Sequence, residues 1–308
     1  MSKIYVFTQF GGPEYQELRE RPVPRPGPGE LLVEVRAAGV NPADWKIRAG
    51  AFGTRRTLPV GMGLEVAGVV AAVGDGGGGF AVGDAVIAGV AGGNGGFAEH
   101  TLVKAAGAVA KPPEVSFTEA ATLPVAGTTA YDLIQHVELV AGQTVVVLGA
   151  GGGVGLMVAQ LATAREAHVI GVASEAKREL VESAGAIFVR SGDGFPDRVR
   201  ELAPGGVHLV VDLVGGDVLR AAAPLATDPA RVVSAADPGV GELGGAGRRR
   251  NPEALAKVTE AVRRGLVAPY VTATYPLERA GEALAAVETG HAAGKIVVVV
   301  GRPVSPPR

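Results

Sequence analysis

A chain of 308 residues, 47% hydrophobic and 19% charged, is long enough to bury the cores of two domains. Its 29 basic and 31 acidic residues leave a net charge of −2, which argues against nucleic acid or a strongly acidic partner. The absence of cysteine excludes disulfides, thiol catalysis and cysteine-based metal sites, and no apolar run approaches the roughly 20 residues of a membrane helix.

The first strand, Ile4–Phe7, begins so early that it leaves no room for a signal peptide, which predicts a cytoplasmic protein. RPVPRPGPGE reads as a proline-rich surface connection. The β-rich runs Leu31–Val35, Val66–Val73 and Ala85–Ala88 follow, separated by Gly, Pro and Asp. Ser116 and Glu119 form a capping box that opens a helical passage continuing to Val137. Strands and helices then alternate: 144–148, 154–164, 168–172, 175–184, 187–189, 208–213, 217–225 and 231–235. This is the pattern of a doubly wound parallel sheet. Gly185 stands where a helix C-cap is expected, and Asn251 with Pro252 opens a further helix that turns Leu255, Val258 and Val262 inward. The segment Tyr270 to Val300 returns to strand, helix, strand and is expected to rejoin the first domain. The predicted domains are therefore 1–122 with 265–308, and an inserted 123–264.

Within the alternating region, TVVVLGAGGGVGLMVAQL (144–161) carries the strongest chemical signal. A buried strand runs into a glycine turn and then into an amphipathic helix. Glycine permits positive φ and lets a pyrophosphate reach the backbone, where bare N–H groups and the helix dipole hold the phosphates. In the G-x-G-x-x-G register, Ala150 takes the first position, Gly152 the second and Gly155 the third, with Gly151, Gly153 and Val154 between them. A dinucleotide is the expected cofactor. An NAD site usually ends its second strand with a carboxylate for the ribose 2′-hydroxyl, but here Ala173 and Ser174 stand there, followed by Lys177 and Arg178. A hydroxyl beside two cations suits a 2′-phosphate, so NADP(H) is expected, although Ser174 also reads as a helix cap with solvated charges behind it.

These segments, taken together, resemble the medium-chain dehydrogenase/reductases, in their zinc-free quinone oxidoreductase branch. The resemblance rests on RPVPRPGPGELLVEVRAAGVNPADWKIRAG, GLEVAGVVAAVG (63–74), GGFAEH (95–100), AATLPVAGTTAY (120–131), AGGGVG (150–155), VVDLVGG (210–216) and GHAAGKIVVVV, in the family's order. It implies an α/β protein: a GroES-like β-rich catalytic domain with an inserted Rossmann domain, assembled as a homodimer or homotetramer. Zinc-dependent relatives place a cysteine ligand where this chain has Asn41 and a histidine where it has Leu64, while Glu65 is retained. No four-cysteine lobe stands around 88–97, and the five histidines show no ligand-like spacing, so no metal is expected.

A nicotinamide reductase without a Lewis acid suits acceptors that delocalise the incoming charge, namely quinones and α,β-unsaturated carbonyls. By resemblance, Asn41 is a donor to a carbonyl oxygen, Thr128 approaches the nicotinamide while also capping a helix, and Arg250 reaches toward the cofactor. Lys46 falls where many quinone reductases have tyrosine and either stabilises an enolate or pairs with Asp44 on the surface; N-P-x-D-W-K is similar to alkenal/enone reductases. Trp45 reads as core in preference to a substrate platform. The alternatives are an enoyl-thioester reductase and a non-catalytic NADPH-binding relative.

Overall fold

The computed structural model describes residues 1–90 and 92–301; residue 91 and residues 302–308, the end of the expected 265–308 segment, lie outside them. The chain divides into two compact units, Met1–Val125 with the segment from Val271 onward, and Ala126–Tyr270.

The first unit is built on β1 (Ser2–Phe7), β2 (Gln16–Arg21), β3 (Glu30–Val40), β4 (Val60–Gly61), β5 (Glu65–Val73), β6 (Ala85–Gly89), β7 (His100–Lys104) and β8 (Ala108–Ala110). β3 is twice as long as the run Leu31–Val35 suggests, because it serves three partners: its first half pairs with β7, most of its length with β5, and its last residues, Ala37–Val40, with a strand near the end of the chain, Lys295–Val299. A small sheet runs β2-β1-β4. Apolar side chains of these strands, including Phe7, Leu31, Val33 and Val66, form one core together with Phe97 from the bend before β7. A short helix, Pro42–Arg48, breaks out of the end of β3. The sequence reading did not find it, although Pro42 at the first turn and Asp44 three residues after Asn41 are its start signals. Its last residue, Arg48, is 1% exposed and donates to Gly11 O, to Gln16 Oε1 and to both oxygens of Glu288.

The second unit contains β9 (Thr144–Leu148), β10 (His168–Ala173), β11 (Ile187–Arg190), β12 (Leu209–Asp212), β13 (Val232–Ser234) and β14 (Ala246–Gly247), all parallel, in the order β11-β10-β9-β12-β13-β14. Counted from β9, this is 3-2-1-4-5-6, the dinucleotide-binding order whose ligand crevice lies beyond the strand ends between the first and fourth strands. β9 is buried along Val145–Leu148, as expected of a strand covered on both faces. Helix Phe195–Leu202, with Phe195 and Val199 inward, was missed; the expected 175–184 helix begins as a 3-10 turn at Glu175–Lys177, and the 217–225 helix ends as one at Ala223–Leu225. Gly185 does take a left-handed φ of 84° past the helix Arg178–Ser183. Asn251 caps an Asx turn, accepting from Glu253 N, and the helix starts later, at Ala254–Arg263.

The first unit is completed by β15 (Val271–Pro276) and β16 (Lys295–Val299); its main sheet runs β15-β16-β3-β5-β6-β8. Among the described residues no helix is long and apolar enough to cross a membrane.

Candidate functional sites in the two units

In the second unit, β9 passes into helix Gly153–Thr163 through four residues. The left-handed residue of this turn is Gly149 (φ 80°), one place before the Ala150 of the sequence register. The N–H groups of Gly149 and Ala150 both donate to Val172 O, at 3.0 and 3.1 Å, tying the turn to the end of β10. Ala150 is fully buried and packs its methyl against β10, where a Cβ on Gly171 would come within 2.9 Å of it. Gly155 meets its expected constraint: a Cβ there would lie 2.5 Å from Gly149 O and 2.7 Å from Ala150 Cα. Helix and turn therefore approach as closely as glycine allows. The N–H groups of Gly153, Val154 and Gly155, in the first turn of the helix, have no intrahelical acceptor by construction, and they lie at the positive end of its dipole. This geometry fits a pyrophosphate.

At the end of β10, Ser174 is exposed and its hydroxyl makes no cap hydrogen bond. The half-buried stem of Lys177 lies over the turn, since a Cβ on Gly151 would be 2.5 Å from Lys177 Cδ; burial lowers the pKa of its ammonium. Arg178 is engaged by carboxylates, donating to both oxygens of Glu175 at 2.7 and 3.1 Å, with its guanidinium 4.1 Å from the centre of the Phe188 ring. Arg190, which the sequence reading missed, is exposed at the end of β11, in register with Ala173. Its charge, after that of Arg178, helps hold the Glu175 carboxyl below its usual range. Only strand register reveals it.

Thr128 does not cap its helix; it is the first residue of Thr128–Ile134, after a π-type turn at Leu123–Gly127. Arg248 organises this region, donating to Asp132 Oδ2 at 2.7 Å, Thr129 Oγ1 at 2.6 Å and Thr128 Oγ1 at 2.9 Å. The arginine brought to Thr128 is thus Arg248; Arg250, two residues on, is exposed. Beyond β12, buried Asp212 accepts from Val214 N, Gly215 N and Ser234 Oγ, and Ser234 Oγ accepts from Ala236 N and Asp237 N. These bonds fix the loops at the strand ends where a dinucleotide half would lie.

In the first unit, Asn41, Asp44, Glu65 and Lys295 form one buried cluster, each at most 4% exposed. Lys295 Nζ donates to Val40 O (2.9 Å), Asn41 Oδ1 (2.7 Å) and Glu65 Oε1 (2.9 Å). Asn41 Nδ2 donates to Glu65 Oε1 at 2.7 Å, and Val125 N donates to Glu65 Oε2 at 2.7 Å. Both ends of the Asn41 amide are therefore committed inside the protein. Asp44 Oδ2 accepts from Asn41 N at 2.8 Å, while its Oδ1 is buried without a hydrogen-bond partner. Burial pushes the Asp44 carboxyl up to about 7, opposed by the Asn41 N–H and aided by the Glu65 charge; the Gly63 amide also favours the anion without completing a hydrogen bond. Asp44 is thus no surface partner for Lys46, whose ammonium lies 5.7 Å from the centre of the Trp45 ring. Trp45 is half-buried against the core. Among the described residues no group of three or more His, Cys, Asp or Glu is placed to hold a metal. A cavity of about 260 Å³ in this unit is lined by Phe7, Asp44, Ile47, Arg56, Met62 and Leu64, among others.

A six-stranded parallel sheet with this strand order and turn, in a chain that also carries a β-rich unit, defines a protein of the dinucleotide-binding class. Residues 27–113 match the alcohol dehydrogenase GroES-like domain, and residues 184–298 match the zinc-binding dehydrogenase family. An NADPH-dependent alkenal/one oxidoreductase of Arabidopsis thaliana chloroplasts is 33% identical over 317 residues, covering 96% of this chain and 79% of the relative. A quinone oxidoreductase of Rattus norvegicus is 30% identical over 313 residues, covering 92% of each chain. The chain belongs to the medium-chain dehydrogenase/reductase superfamily, in its quinone oxidoreductase branch. The synaptic vesicle membrane protein VAT-1 homolog of Mus musculus is 38% identical over 221 residues, 70% of this chain; the match spans only 54% of that longer relative. Among solved structures, a mycobacterial protein complexed with NADPH superposes with a TM-score of 0.86 at 30% identity, over 97% of this chain and all of that one. A protein described as NAD-dependent alcohol dehydrogenase superposes with a TM-score of 0.89 at 29% identity, with the same coverage.

Proposed function

We propose that this chain is an NADPH-dependent reductase that passes hydride to a quinone or an α,β-unsaturated carbonyl without zinc. The observation that carries this reading is the buried Lys295–Glu65–Asn41 cluster, which stands where zinc-dependent relatives, by resemblance, hold their metal. A catalytic zinc does not fit this donor set: the Asn41 amide is bonded at both ends, position 64 is leucine, and Glu65 is already matched by an ammonium. Without a Lewis acid, the favoured acceptors are those that spread the incoming charge themselves.

NADP(H) fits the second unit. Gly151, Gly152, Gly153, Val154 and Gly155 offer backbone to the pyrophosphate, with Ala150 packed behind them. Ser174 and Lys177, with Arg178 behind its carboxylates, face the 2′-phosphate, and the lack of a carboxylate at Ala173 favours NADPH over NADH. When bound, NADPH would supply the hydride; an enone that accepts it at its β-carbon becomes an enolate, which takes one proton from water to give the saturated carbonyl. Lys46, held over Trp45 with no acidic partner among the described residues, is the group offered to the enolate oxygen. Asn41 acts by shaping the start of helix Pro42–Arg48, because its amide is spent inside the protein. Thr128, fixed by Arg248, faces the nicotinamide, and Arg250 approaches the cofactor from the exposed segment beyond it. By resemblance alone, the protein works as a homodimer or homotetramer.

The test follows the near-ultraviolet absorbance of NADPH, with EDTA present, against one ortho-quinone and one medium-chain enone. Turnover of either in chelator supports a metal-free reductase. Turnover that stops in chelator and returns with zinc overturns it, and NADPH binding without turnover of either acceptor favours the non-catalytic reading.

A further inference from the structure

The segment between helix Pro42–Arg48 and β4 carries two arginines and no acid, in the run Ala49–Pro59. Arg55 and Arg56 are exposed, and among the described residues neither side chain makes a hydrogen bond or ion pair. This is unlike Arg178, Arg200, Arg220 and Arg279, each matched to a carboxylate three residues away. Phe52, 64% exposed, stands with them around an open depression formed by Phe52–Arg56. Arg56 is common to this depression and to the 260 Å³ cavity, whose other walls include Phe7, Ile47, Met62, Leu64 and Val90. An apolar cavity thus has an unmatched guanidinium in its lining and a second one beside it. Asp44, the one acid in the lining among the described residues, is buried with its carboxyl pushed up to about 7, so at neutral pH it opposes an anion with only part of a charge.

We propose that the acceptor carries an anionic group, a phosphate or a carboxylate, bound by Arg55 and Arg56, while its apolar part occupies the cavity that Arg56 also lines. Guanidinium forks suit both oxyanions, and two unpaired ones lose no protein partner on binding. A neutral quinone would leave both unused. The inference rests on the reductase reading and narrows its acceptor to amphiphiles, with an acyl thioester of coenzyme A and an enone bearing a terminal carboxylate as the two sources of the anion.

Two matched pairs test it, under NADPH oxidation: a trans-2-enoyl-CoA against the N-acetylcysteamine thioester of the same acyl chain, and a carboxylated enone against its methyl ester. The expected result is a preference of about tenfold in kcat/KM for the charged member of one pair, carried by KM and shrinking with added salt. The R55A/R56A double variant should abolish that preference and R55K/R56K should keep part of it. The pair that shows the preference identifies the anion. Equal efficiency within both pairs overturns the proposal, as does an equal loss on charged and neutral members in R55A/R56A. If nothing is turned over, the reductase reading fails by itself. Calorimetric binding of the enoyl-CoA and of the carboxylated enone, without NADPH, then decides the site. Binding of one that is lost in R55A/R56A supports it, and binding of neither, or binding indifferent to the variant, overturns it.

Discussion

In the inserted unit the backbone from Gly149 to Gly155 makes the candidate site, through one left-handed glycine and one contact that excludes a Cβ. In the other unit, four side chains from three distant segments make it, and almost every polar atom among them is spoken for. A backbone site depends on glycine at a few positions and tolerates change around them. A side-chain cluster of charges depends on every member, because removing one leaves another buried and unpaired.

The most direct way to break the comparison is Gly155→Val. Its Cβ would enter the shell of Gly149 O and Ala150, which are backbone and cannot turn aside. NADPH affinity, followed by nucleotide fluorescence, should fall by about a hundredfold or more, or the unit should fail to fold; near-normal affinity would refute the account of the turn. Lys295→Met attacks the other side. It leaves the Glu65 carboxylate buried with the Asn41 amide and the Val125 N–H but no cation, and urea unfolding should register a loss of about 3–5 kcal/mol, partly restored by adding Glu65→Gln. A single variant as stable as the parent would mean that the cluster is not a matched pair.

Asp44 sharpens the comparison through pH. Its carboxyl titrates at about 7 in the folded chain against an ordinary 3.8, so the folded state holds this proton more firmly than the unfolded one. Its contribution to stability is present at low pH and is lost as the pH rises through about 7. Asp44→Asn keeps an oxygen for the Asn41 N–H and cannot ionise. The variant should gain on the parent between acid and neutral pH, by on the order of a few kcal/mol at most, and level off above it. Parallel stability curves for the two proteins would contradict this. The smallest effect is expected at Ala173→Asp, which places a carboxylate at the end of β10 beside Ser174. The ratio of NADPH to NADH efficiency should drop by about tenfold; an unmoved ratio would remove the assignment of the 2′-phosphate to this corner.

The same contrast explains what could be read before any coordinates. The strand, glycine turn and helix at 144–163 are local, written in apolar runs and turn chemistry over adjacent residues, and so are the capping box at Ser116 and the cap glycine at Gly185. Within the turn, that Gly149 is the left-handed residue was not legible, because a register of glycines does not say which one carries positive φ. Nor was the choice of Arg248 among three consecutive arginines, which depends on how the chain leaves β14 toward Asp132. Least legible was the polar cluster. Asn41 meets Glu65 across 24 positions and Lys295 meets Glu65 across 230, and no periodicity links them. Lys295 drew no attention in the sequence, lying in an apolar strand that reads as pure core.

Lys295 Nζ and Val40 O bond across 255 positions, beside the pairing of β16 with β3. During synthesis, β3 leaves the ribosome long before its neighbour in the sheet exists, while every strand of the inserted unit lies within Ala126–Tyr270. The nucleotide-binding unit can therefore close as soon as it is made, and the first unit must wait with one edge of β3 unpaired and Glu65 without its ammonium. The order of translation thus sets a hazard that the finished fold conceals: the nascent chain leaves one edge of its long strand β3 open for as long as the insertion takes to emerge.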